Sequence, residues 1–110
     1  MSEEVTLTKQ QIREVYENHP LYVHRDLVYQ YLKYFIEKDD DEELIISLME
    51  IHITIHALEH MVQDAFHDKE ETRFSTEMIM SLGGIVGILD YKMQNVIKHL
   101  PFLQPNLLLN

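Results

Sequence analysis

Between Leu44 and Ala65 the apolar positions Leu44, Leu48, Ile51, Ile55, Leu58, Val62 and Ala65 recur at alternating steps of four and three residues. Such a heptad seam stays on one side of a helix, so it predicts a long helix over Asp41–His67 packed knobs-into-holes against a neighbour. Ile45, Ile46, Met49, Ile53 and Met61 widen the apolar surface beyond one stripe. A helix apolar on more than one side touches more than one neighbour, within a bundle or across an oligomer contact. Met78, Leu82, Ile85, Leu89, Met93, Val96 and Leu100 repeat the spacing and predict a second long helix over Thr76–His99, capped by Ser75 or Thr76.

Two shorter helices precede these. Ile12, Val15 and Tyr16 give a stripe over Lys9–Asn18, with Thr8 as N-cap and Gln11 completing a capping box. His19-Pro20 ends it, because the residue before proline avoids the helical region. Pro20 suits the first turn of the next helix, over Leu21–Lys38, whose apolar positions are Val28, Tyr31, Leu32, Phe35 and Ile36. Tyr22, Tyr29, Tyr31, Tyr34 and Phe35 crowd this segment and can fill much of a core. Asp68 to Arg73 reads as a charged connection. The expected architecture is therefore all-α: a single-domain bundle of about four helices, two short or medium followed by two long antiparallel ones. With 110 residues the chain fits one domain, and only three Gly and three Pro argue against a turn-rich sandwich or barrel.

The acidic run Asp39, Asp40, Asp41, Glu42 and Glu43 joins the second and third helices. Its second half meets the positive end of a helix dipole, and the run is expected on an exposed acidic face. It lacks the alternating ligands and central Gly of a calcium-binding loop. Gly83 and Gly84 sit in mid-helix, at a cost of roughly 1 kcal/mol each relative to Ala. Gly83 and Gly87 are four apart, where absent side chains would let another helix approach; they are expected in a helix–helix or subunit contact. The apolar tail 101–110 is expected to dock on the bundle or on a second subunit, with Leu107 and Leu108 in the contact, since consecutive leucines make a poor exposed surface.

Nineteen acidic residues against nine basic ones give a formal charge of −10. That field opposes nucleic acid and anionic membrane and favours a basic partner. The chain has no Cys, so disulfides and thiolate metal sites are excluded. No uninterrupted apolar run reaches the roughly 20 residues of a membrane helix. Met1-Ser2-Glu3-Glu4 is the reverse of a signal peptide's basic start, and a cytoplasmic location is expected.

The chemically richest pattern is His52, His56 and His60, on successive turns of the third helix. Two His at i and i+4 can hold a zinc ion. A step of four residues rotates the stripe by about 40°, however, so three such rings do not converge on one ion. A site there would need ligands from another helix. The order HExxH is absent, as is the Glu-x-x-His pairing of a di-iron bundle. Arg13 and His19, five residues between them, resemble the Arg…His pair of helical HEPN-type ribonucleases, which implies RNA cleavage. The pair lies at the end of a short N-terminal helix rather than within a central one, and the acidic charge opposes an RNA substrate. No nucleophile elbow or phosphate-binding glycine loop is present.

The reading is a non-catalytic, cofactor-free protein–protein interaction module. It is expected to be homodimeric and to act as a regulator or inhibitor of another protein, a basic nucleic-acid-handling one being one form. The alternative is a metal-binding helical protein using the His52/His56/His60 face. A small-ligand pocket lined by the tyrosines and methionines is a third reading.

Overall fold

Thr8 and Gln11 form the reciprocal cap their spacing predicts. In the computed structural model, which describes residues 3–103, Thr8 Oγ1 accepts from the Gln11 N–H at 3.1 Å and Gln11 Oε1 accepts from the Thr8 N–H at 2.8 Å. The helix so opened, α1, is only Lys9–Arg13. Beyond it the chain turns through Tyr16 to His19. Ile12 and Tyr16, one helical step apart, are buried, whereas Val15 faces out. Burial pushes the Tyr16 phenol up to about 12, with Tyr22 beside it adding to the shift.

The segment expected as one helix from Leu21 to Lys38 is two, α2 (Pro20–Val23) and α3 (Arg25–Lys38). The break falls at His24, whose ψ of 24° leaves the helical range. Arg25 donates to the freed carbonyl of Tyr22 at 2.9 Å, and Phe102 packs edge-on against the His24 ring. These are tertiary and side-chain stabilisers that no local breaker residue announces. Asp39, in the left-handed region, closes α3.

Helix α4 (Glu42–Phe66) follows the predicted long helix closely. Asp41 accepts from the Leu44 N–H as N-cap, and Glu42 and Glu43 occupy the first turn. Leu44, Leu48, Ile51, Ile55, Leu58 and Val62 are buried as the seam predicts, with Phe66 continuing it. Both other long helices pack against α4. By length and composition α4 also passes as a membrane-crossing helix. Its seam lies within the cluster formed with α3 and α5, while Ile46, Met49 and Ile53 on another side are exposed.

The all-α expectation needs a correction: among the described residues the chain is mostly helical, with five α-helices and a small two-stranded sheet. β1 (Glu4–Thr8) and β2 (Glu71–Ser75) pair antiparallel, Val5 opposite Phe74 and Leu7 opposite Thr72. The second half of the segment read as a charged connection, Glu71 to Arg73, thus belongs to a strand. Its alternation (Thr72 and Phe74 inward, Glu71 and Arg73 outward) is a strand's period of two. Phe74 is the anchor, buried against Phe66 with ring centroids 5.6 Å apart.

Helix α5 (Thr76–Val96) starts at β2, with Ser75 Oγ accepting from the Met78 N–H. Lys92 bonds Glu50, while Met61 and Val62 share a cavity with Met78 and Leu82, so α5 runs antiparallel to α4. Leu82, Leu89, Val96 and Leu100 are buried and Ile85 and Met93 half-buried, but Met78 is 44% exposed rather than part of the seam. Pro101–Leu103 forms a 3-10 turn that seats Leu103 in the core and Phe102 against Tyr31. The start of the apolar tail therefore folds back on the bundle. Leu107 and Leu108 lie outside the described residues.

Candidate functional site

Helix α5 carries two faces of different chemistry. The inner one is the seam against α4. The outer one is Glu77, Met80, Ser81, Gly84, Gly87, Ile88 and Tyr91, all exposed. At about 100° per residue these seven positions lie within about 60° of the direction of Gly84. Met80 is 70% exposed, Tyr91 67% and Ile88 46%. From Met78 to Leu89 the helix bears no charged side chain. The nearest cation on α5, Lys92, is drawn to Glu50 on α4 and leaves this face.

Gly83, Gly84 and Gly87 have no positive φ, and a Cβ built on any of them meets no atom within 4 Å. Among the described residues, then, no other element of the chain packs closely over Gly83 or Gly87. Nor does their geometry require glycine in the free subunit. Sequence reasoning picked out Gly83 and Gly87 but missed Gly84, Met80, Ile88 and Tyr91. The available signal was a second 3–4 stripe offset from the seam, obscured because the seam accounts for the period first.

A second concave region lies between α3 and α4. Arg25, Asp26, Val28, Tyr29, His52, Ile55, His56 and Glu59 line a cleft of about 370 Å³. The Tyr29 ring stacks on His52 with centroids 4.7 Å apart, and His52 meets His56 edge-on at 4.5 Å. His56 and His60 stack more loosely, at 6.4 Å. The three imidazoles form a ladder along α4. Among the described residues no group of three or more His, Asp or Glu side chains is placed to hold a metal ion. The metal-binding alternative therefore finds no third ligand around His52, His56 and His60. Burial, with neighbouring His56 adding to it, lowers the His52 pKa below its ordinary value.

The acidic run divides by role. Asp39, Asp40, Glu42 and Glu43 are exposed, while Asp41 is half-buried as the α4 cap. These residues end one helix and start the next, and beyond that their charge faces solvent. Arg13 and His19 are held apart in function: Arg13 pairs with Glu17 at 3.7 Å, and His19 caps α2 and bonds Asp90. Their resemblance to a ribonuclease pair gains no common cleft.

The chain matches no known protein family, no curated protein and no solved structure.

Proposed function

We propose that this chain is a non-catalytic protein-interaction module whose docking surface is the outer face of α5. One observation carries the reading: Met80 and Ile88 stand exposed on the uncharged stretch Met78–Leu89 of a well-formed helix, with exposed Tyr91 just past its end on the same face, in a chain of formal charge −10. Large apolar side chains grouped on one helix face mark contact surfaces in soluble proteins. Met80, Ile88 and Tyr91 fall at i, i+8 and i+11 and so share one side of the helix, with Gly84 and Gly87 between them. A protein acting this way regulates by occupancy, covering or presenting a surface on what it binds. The acidic excess elsewhere on the chain favours a basic partner for any contact extending past α5.

A photo-crosslinking residue at Tyr91, expressed in the native host, tests this. The expected result is discrete protein adducts from Tyr91 and none from an exposed polar position such as Gln94 on the flank of the face. Equal yields from both positions, or none from either, would remove α5 as the docking surface.

A further inference from the structure

We infer that the outer face of α5 recognises a second copy of this chain, the two α5 helices crossing antiparallel about a two-fold axis at Gly84. The inference rests on the reading of this face as a docking surface and names its occupant.

Charge makes the choice. A basic partner would be drawn to surfaces carrying the nineteen acidic residues, and between Met78 and Leu89 α5 offers it none. A second copy, bearing the same −10, meets its weakest repulsion along that stretch. An isologous contact must also be self-complementary, since the same patch supplies both sides. About Gly84 it is. Met80 and Ile88 stand four residues to either side, Ser81 and Gly87 three, Glu77 and Tyr91 seven. In an antiparallel crossing, Met80 then faces the partner's Ile88 and small Ser81 faces the partner's Gly87. Glu77, the one charged member of the face, falls opposite the hydroxyl-bearing Tyr91 of the partner.

The open space over Gly84 and Gly87 completes the fit. Neither glycine is needed by the subunit's own packing, and mid-helix glycine lowers helix stability. A close backbone approach at the crossing gives those positions a use. The face is modest in size: α5 is roughly 30 Å long at 1.5 Å per residue, with a diameter of about 10 Å. That is less than the ~800 Å² per partner of a standard interface, so the dimer is a concentration-dependent one.

Sedimentation of the full chain across micromolar to high-micromolar loading is the test. The wild-type mass should climb from 13.1 kDa toward twice that value. Gly84→Leu should remain monomeric throughout while keeping its helical circular dichroism and melting no lower than wild type, since the added side chain meets open space in the free subunit. Met80→Glu and Ile88→Lys should each be monomeric alone, and a mixture of the two should dimerise, because the crossing sets the new carboxylate against the new ammonium. A wild type that stays at 13.1 kDa at every loading overturns the inference. So does a folded Gly84→Leu that dimerises as wild type does, or a mixture that stays monomeric. If the wild type is monomeric yet crosslinks at Tyr91 to other proteins in cells, self-pairing is wrong and the docking surface stands. If neither is seen, both fall.

Discussion

His19 Nε2 lies 2.7 Å from Asp90 Oδ1, a bond that spans 71 residues of sequence and ties the start of α2 to α5. The other ring nitrogen, Nδ1, accepts from the Leu21 N–H at 3.2 Å, so the proton sits on Nε2, which donates to the carboxylate. One imidazole thus caps a helix and fastens it to a neighbour. Asp90→Ala removes the second role and should cost about 1 kcal/mol, within the usual net worth of a hydrogen bond. His19→Ala removes both and should cost about 2 kcal/mol, adding the loss of an N-cap. Urea unfolding of the two variants checks the order; equal losses would show that the His19 cap contributes nothing beyond the Asp90 bond.

Phe74 anchors the sheet. It is 6% exposed against Phe66, whereas Val5, directly opposite it on β1, is 46% exposed. Phe74→Ala should destabilise by about 3–5 kcal/mol, the range for a buried aromatic. Val5→Ala should cost less than about 1 kcal/mol, since surface substitutions away from special features change little. Thermal or urea melts of both variants would show the asymmetry, and comparable effects would mean the sheet pair is stabilised by its backbone ladder rather than by this ring.

Helix α4 ends on two successive left-handed residues, His67 with φ 50° and Asp68 with φ 69°. A non-glycine side chain there costs about 1–2 kcal/mol, and glycine relieves it. His67→Gly should therefore raise stability by about 1 kcal/mol. An unchanged or lower urea midpoint would place a compensating interaction at the His67 ring.

The His52 shift predicts a pH dependence of defined sign. Its folded-state pKa is lowered by burial, with His56 adding to the effect. The unfolded chain, with an ordinary His pKa near 6.5, then takes up a proton first as pH falls. The stability from His52 is fully present above about pH 6.5 and declines as pH drops through the lowered folded value. Arg25, Asp26 and Tyr29 on α3, and His56 and Glu59 on α4, share the cleft with it. His52→Gln should flatten the fall in urea midpoint between pH 7.5 and 5 relative to wild type. Parallel curves for the two proteins would assign the dependence to other groups.

The helical class, the long α4, the Thr8 cap and the Ser75 start of α5 were legible because each is written in adjacent residues. Leu44 to Val62 declare a helix face by spacing alone, and Thr8 with Gln11 declare a helix start by side-chain reach. The sheet was not legible. Val5 to Thr8 and Thr72 to Ser75 are each too short to stand alone, and they become strands only by finding one another across the chain. The break at His24 was not legible either: no glycine or proline marks it, and one of the contacts beside it, the Phe102 ring, comes from the far end of the described chain.

The sequence by itself determined which helix faces are apolar, since periodicity is a local property of the chain. Only the tertiary structure decided which of those faces are covered. Ile85 and Ile88 are equally apolar three residues apart, yet one turns toward α4 and the other into solvent. Burial depends on where a neighbouring element lies, and that position is set by the whole fold rather than by the residue itself.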